Sequence, residues 1–160
     1  MLITLIIGFA VPSLYENGGA DEKALGEDLM KKRIMVVDDD PDVREVMQEI
    51  LDSAGYATET FENGTGAMAH ARERRPDLIL LDLSIPGEDG YEICQRFTQS
   101  AETSDVPIFV ISGHGNLSNK LHSFCCGARR FLTKPLDIDE LLAAVDNAFS
   151  AKLPPVRAAC

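Results

Sequence analysis

Four sets of polar residues in this 160-residue chain each follow directly on a short apolar run. Asp38, Asp39 and Asp40 follow the run at 34–37, Asp82 the run at 78–81, Ser112 the run at 108–111, and Thr133, Lys134 and Pro135 the short run at 130–132. Carboxylates at close range repel, which raises the proton affinity of at least one unless a cation intervenes. Oxygen ligands in small number, with room for water, suit Mg²⁺ better than a fully caged Ca²⁺. A hard dication beside Asp82 would also offset the charge of an incoming phosphoryl group. Lys134 could bind a phosphoryl oxygen as a mobile point charge, and Ser112 could donate a hydrogen bond to another. No base stands beside Ser112, so a serine-hydrolase triad is poorly supported. The set reads as one that places a phosphoryl group on a carboxylate, with Asp82 as acceptor.

That chemistry needs a fold which brings the four sets to one rim. The continuous apolar runs at 34–37, 78–81 and 108–111 mark strands buried on both faces, and weaker strand signals lie at 56–61 and 130–132. Between them Val43, Val46, Met47, Ile50 and Leu51 share one helical face, and Ile138, Leu141, Leu142, Val145 and Phe149 repeat the pattern. Shorter helical candidates cover 66–73, 91–100 and 117–126. Asp40 or Pro41 is placed to start the first helix, Asp89 to cap the third and Asp137 the last. The order βαβαβαβαβα implies parallel pairing through right-handed crossovers, with every strand ending on the same edge. Ligand sites in such sheets lie at the carboxyl ends of the strands, at the topological switch point.

The residues at that rim resemble the receiver domain of bacterial two-component response regulators, over roughly 33–149. The resemblance rests on VVDDD at 36–40, LLDLSIPGEDG at 80–90, ISG at 111–113 and GARRFLTKP at 127–135, in that order. It implies a flavodoxin-like (βα)5 fold, a doubly wound five-stranded parallel sheet in the order 2-1-3-4-5. It further implies Asp82 as phosphoacceptor and Mg²⁺ held by Asp39, Asp82 and the backbone carbonyl of Ser84, with Asp38 acting through a water. Ser112 becomes the switch hydroxyl, Lys134 the ammonium that meets the phosphoryl group, and Phe131 the aromatic that swings inward. The Lys134–Pro135 bond is commonly cis in the family. Ser112 stands where Thr is commoner, Phe131 where Tyr is frequent and Gly113 where Ala is frequent. Ser84 and His114 occupy positions that modulate dephosphorylation.

On this resemblance the chain is expected to be a stand-alone receiver. A sensor histidine kinase or a histidine phosphotransfer protein would phosphorylate it. The face of the fourth helix, fifth strand and fifth helix would then switch, acting on a downstream protein or forming a phosphorylation-dependent homodimer. It is expected to be a signalling domain rather than an enzyme. Two rivals are a small aspartate-nucleophile phosphatase, for which Asp38 and Asp40 offer a D-x-D spacing, and a phosphorylation-independent interaction module.

Composition agrees with a globular domain, with 45% apolar and 26% charged residues. A net charge of −11 argues against nucleic acid and anionic membrane as partners, and the absence of Trp argues against a base-stacking platform. Cys94, Cys125, Cys126 and Cys160 form no C-x-x-C pair, and are expected to be reduced thiols, which favours the cytoplasm. His70 and His122 fall in helical patterns as surface or boundary residues, and Arg129 and Arg130 form either a basic patch or a solvated pair. The apolar stretch at 1–14 is too short to span a bilayer and lacks the flanks of a signal peptide. Residues 1–32 therefore read as an extension or a start-site artefact, 33–150 as the receiver domain and 151–160 as a short tail.

Overall fold

The computed structural model describes residues 31–113 and 117–150; the apolar stretch at 1–14, His114 and the tail at 151–160 lie outside the described residues. Strands and helices alternate as β1 (Arg33–Val37), α1 (Pro41–Ser53), β2 (Ala57–Phe61), α2 (Gly64–Glu73), β3 (Leu78–Asp82), α3 (Gly90–Gln99), β4 (Ile108–Ser112), α4 (Leu117–Cys125), β5 (Arg130–Thr133) and α5 (Ile138–Ser150). The strands form one parallel sheet in the order β2-β1-β3-β4-β5, the flavodoxin-like topology expected.

Alternating side chains explain why β1, β3 and β4 are apolar at every core position. Met35, Val37, Ile79, Leu81, Ile108 and Val110 pack on one side of the sheet with Ala67, Met68 and Ala71 of α2 and Ile93, Cys94 and Phe97 of α3. Ile34, Val36, Leu78, Leu80, Phe109 and Ile111 face the other side, where α1 supplies Met47 and Leu51 and α5 supplies Leu141, Ala144 and Val145. Burial on both faces turns each short run into a strand that fits only in the middle of such a stack. The register then fixes where the runs end: Val37 pairs with Leu81, Asp82 with Ile111, and Ser112 with Thr133.

Each expected cap is present. Asp40 accepts from the amides of Asp42 and Val43 with Pro41 in the first turn of α1, Asp89 accepts from Tyr91, and Asp137 accepts from Glu140. Helix α2 starts at Gly64, two residues before the sequence signal, behind the cap Asn63. Gly64 and Gly66 are both poor helix formers, which leaves the first turn with little propensity to mark its start. Tertiary packing selects it, because a Cβ on Gly64 would lie 2.6 Å from Ile93 Cγ1.

The expectation of reduced thiols holds for Cys94 and Cys126, which are free and buried. It is corrected at Cys125, which is disulfide-bonded. Cys125 is exposed at the end of α4, whereas Cys94 is buried and burial pushes its thiol up to about 12. The cysteines as a set therefore no longer argue for a reducing compartment. Among the described residues no helix is long and apolar enough to cross a membrane.

Candidate functional site

The first acid loop begins where β1 stops. The amide of Asp38 still donates to the Phe61 carbonyl of β2 at 3.0 Å, so the residue sits at the last rung of the ladder with its side chain buried. Its carboxylate accepts from the amide of Asp40 at 3.0 Å and from Lys134 Nζ at 2.9 Å. Asp39 is exposed, and Asp40 turns away to cap α1.

Asp82 is the last residue of β3 and is buried. One carboxylate oxygen accepts from the amide of Ser84 at 2.8 Å and the other from Lys134 Nζ at 2.5 Å. The carboxylates of Asp38, Asp39 and Asp82 each place an oxygen within 4.8 Å of the others. The ammonium arrives from β5: the Lys134 amide donates to the Ser112 carbonyl at 2.9 Å, and the following peptide bond to Pro135 is cis. Ser112 is buried at the end of β4, directly across from Thr133. Phe131 is half-buried against the core on the α2–α3 side, with Lys120 Nζ 5.8 Å from its ring centre.

Burial is the largest influence on Asp38 and raises its pKa, against the Lys134 hydrogen bond that lowers it. Repulsion from Asp82 acts in the same direction as burial but is the smallest contribution. Proton affinity does rise at this cluster, as expected, but desolvation is the main cause rather than charge crowding. Burial pulls the Lys134 pKa down, and the hydrogen bonds and charges of Asp82 and Asp38 outweigh it, so the ammonium is held above its usual range.

Sequence reasoning missed Arg44. Its Nη1 donates to the carbonyls of Asp38 at 2.8 Å and Asp39 at 2.9 Å, clamping the loop that carries both acids. Its position four residues beyond the cap Asp40 was the available signal, since that spacing returns a helical side chain to the loop. Beside Lys134 the rim opens into an apolar trough lined by Val46, Met47, Pro135, Leu136 and Ile138. His70 bonds to Glu59 on β2, and His122 stacks on Tyr91.

Fold and site together define a doubly wound α/β domain with an acid pocket, a hydroxyl and a lysine at the switch point of its sheet. The chain matches the response regulator receiver domain family over residues 34–146 and belongs to it, a family of two-component signalling domains in which phosphorylation and Mg²⁺ are typical. It is 38% identical over 113 residues to the DNA-binding dual master transcriptional regulator RpaA of Synechocystis, covering 71% of this chain and 47% of RpaA. The chain thus spans about half the length of that relative. It is 33% identical over 114 residues to Protein PilH of Pseudomonas aeruginosa, covering 71% of this chain and 94% of PilH. Among solved structures it resembles the receiver domain of sensor histidine kinase PA1611 from Pseudomonas aeruginosa. That structure has a magnesium ion coordinated in its active-site cleft; the TM-score is 0.70 and the identity 25%, over 76% of this chain and 99% of that one.

Proposed function

We propose that the unit at 33–150 accepts a phosphoryl group on Asp82 from a sensor histidine kinase or a histidine phosphotransfer protein, and passes the change on by protein contact. The observation that carries the reading is the convergence of Asp38, Asp39 and Asp82 within 4.8 Å, with Lys134 bridging two of them.

Three hard oxygen donors suit Mg²⁺. Asp39, Asp82 and the Ser84 carbonyl would hold it, with Asp38 acting through a water. Bound there, Mg²⁺ supplies charge neutralisation at the phosphoryl oxygens. The protein's own part is orientation. The Ser84 amide and Lys134 fix the Asp82 carboxylate at the rim. A carboxylate oxygen forms the new P–O bond as the donor's P–N bond breaks, and the departing imidazole nitrogen keeps the electron pair and takes up a proton from water. Lys134 then exchanges one of its carboxylate partners for a phosphoryl oxygen, and Ser112 donates to another. The apolar trough beside Lys134 gives a donor helix a surface to rest on at the acceptor's edge.

Movement of Ser112 draws Phe131 inward and biases the face formed by α4, β5 and α5 between two states. Leu121 and Phe124 are exposed on α4, which supports output through a protein target or a second copy of the chain.

Purified protein is incubated with Mg²⁺ and acetyl phosphate, and intact mass is compared with that of Asp82→Ala. One added phosphoryl group, lost in the variant and without Mg²⁺, is the expected result. No adduct, or an adduct that survives the substitution, overturns the reading.

A further inference from the structure

Between β3 and α3 the chain runs Asp82-Leu83-Ser84-Ile85-Pro86-Gly87-Glu88-Asp89-Gly90. Its inner half is fixed by the Ser84 amide bonded to Asp82. Its middle is a tight turn in which the Glu88 amide donates to the Ile85 carbonyl at 3.3 Å, with Pro86 and Gly87 at the centre. Gly87 has φ +78°, the left-handed value that a type II turn requires at its third residue and that glycine adopts without strain. At its far end Gly90 lies against Leu83 so closely that a Cβ would sit 2.5 Å from the Leu83 Cα.

The turn aims Glu88 away from its own loop. Its carboxylate accepts from the amide of Gly64 at 2.6 Å and from the hydroxyl of Thr65 at 2.9 Å, both in the first turn of α2. The helix's own cap, Asn63, takes the amide of Gly66 instead. Glu88 therefore meets an N–H group that α2 cannot satisfy internally, at the end where the helix dipole favours negative charge. Such charge-assisted bonds are stronger than neutral ones, and they join segments 24 residues apart in the chain. Helix α2 is a firm anchor, since Gly64 is pressed against Ile93 and the helix buries Ala67, Met68 and Ala71.

We infer that Glu88 is a positioning residue for the phosphorylation reaction: it latches the β3–α3 loop to the start of α2 and so holds the Ser84 carbonyl in place before Mg²⁺ arrives. The inference rests on the reading of Asp82 and Ser84 given above. Asp82 is held by its strand and by Lys134, whereas the Ser84 carbonyl belongs to an exposed loop residue. A ligand group on a loose loop must be ordered when the metal binds, and ordering it in advance removes that cost from the binding step.

The test uses the full chain carrying Glu88→Ala, Glu88→Gln, Thr65→Val, or Glu88→Ala with Thr65→Val. Calorimetric titration with Mg²⁺ alone gives the affinity, hydrogen exchange of the metal-free protein follows the Ser84 amide, and thermal melting reports stability separately. Glu88→Ala is expected to weaken Mg²⁺ binding about tenfold, in the range seen when a residue supporting metal ligands is removed. It should also speed exchange at Ser84. Glu88→Gln keeps an acceptor oxygen for the Gly64 amide and retains most of the affinity. Thr65→Val gives a smaller loss, and the double variant is no worse than Glu88→Ala, because Thr65→Val removes one of the two bonds that Glu88→Ala already breaks. Unchanged Mg²⁺ affinity and Ser84 exchange in a Glu88→Ala protein that only melts earlier overturns the latch. Should Glu88→Ala fail to fold, wild-type affinity and exchange in Thr65→Val overturn it equally. Wild-type protein that binds no Mg²⁺ and gains no phosphoryl group overturns the underlying reading and the latch with it. Wild-type protein that does both, beside an unaltered Glu88→Ala, overturns the latch alone.

Discussion

Lys134 Nζ lies 2.5 Å from Asp82 Oδ2, and the same ammonium reaches Asp38 Oδ2 at 2.9 Å. The partners are unequally placed: the lysine side chain is 30% exposed and each carboxylate 3%. The negative charges sit inside the rim and the positive charge stands at its mouth. Asp39 adds a third carboxylate, while the nearby guanidinium of Arg44 is committed to the Asp38 and Asp39 carbonyls. Lys134 pairs with two of the three acids, and a dication would meet the surplus negative charge that it leaves.

Removing the ammonium should therefore make the fold depend on Mg²⁺. Lys134→Met leaves Asp38 and Asp82 buried without their cation. The expected loss at neutral pH is about 2–3 kcal/mol, below the full figure for a buried pair because the lysine is partly solvated. Acidification shrinks the loss. Asp38 already has a raised pKa, so its folded form binds a proton more tightly than its unfolded form. Stability linked to it is present below the ordinary carboxylate value and declines as pH rises through the raised one. Urea denaturation with and without Mg²⁺ checks this: Mg²⁺ should stabilise Lys134→Met more than the parent, and equal stabilisation of the two sinks the idea.

Three successive aspartates should separate into distinct jobs. Asp40 accepts from the Asp42 amide at 2.9 Å and the Val43 amide at 3.4 Å, so Asp40→Ala should cost about 1 kcal/mol of stability and leave Mg²⁺ affinity alone. Asp39 is exposed and makes no such cap; Asp39→Asn should leave stability near the parent value and weaken Mg²⁺ binding at least about tenfold. Asp38 is buried and bonded to both Lys134 and the Asp40 amide, so Asp38→Asn should change both properties. Calorimetry and denaturation on the three variants decide. A drop in Mg²⁺ affinity as large in Asp40→Ala as in Asp39→Asn would refute the assignment.

The strand ends were legible because parallel pairing forces them to one edge: the apolar runs alone place Asp38, Asp82, Ser112 and Lys134 on a common rim. Asp40 and Asp89 were legible as caps because a cap is a local pattern. Arg44 and Glu88 were harder to see, since both bond to backbone groups, and a carbonyl or amide carries no residue type to signal the contact. The start of α2 was hidden because Gly64 answers to Ile93, a contact that propensity along the chain does not contain. Cys125 was misjudged because composition argues about thiols as a set, whereas exposure separates it from its buried neighbour Cys126.

Far from the acids, Tyr56 ties the start of β2 to the far end of α5. Its hydroxyl donates to the Asp146 carboxylate, and its ring lies 5.5 Å from that of Phe149. Burial raises the phenol from 10.0, and the bond to Asp146 adds to the rise, taking it to about 12. The folded state thus holds this proton more tightly than the unfolded chain. The linked stability is complete below pH 10 and is lost as pH climbs through the folded value. Tyr56→Phe keeps the ring contact and removes both the bond and the titration. It should be less stable than the parent by about 1 kcal/mol at pH 7. The gap should close between pH 10 and 12 as the parent loses what the variant never had. Lys134 and Tyr91 also carry raised pKa values and titrate in both proteins, so the difference isolates Tyr56. Denaturation at a series of alkaline pH values measures it, and a gap that stays constant to pH 12 would show that the folded state holds the Tyr56 proton no more tightly than the unfolded chain does.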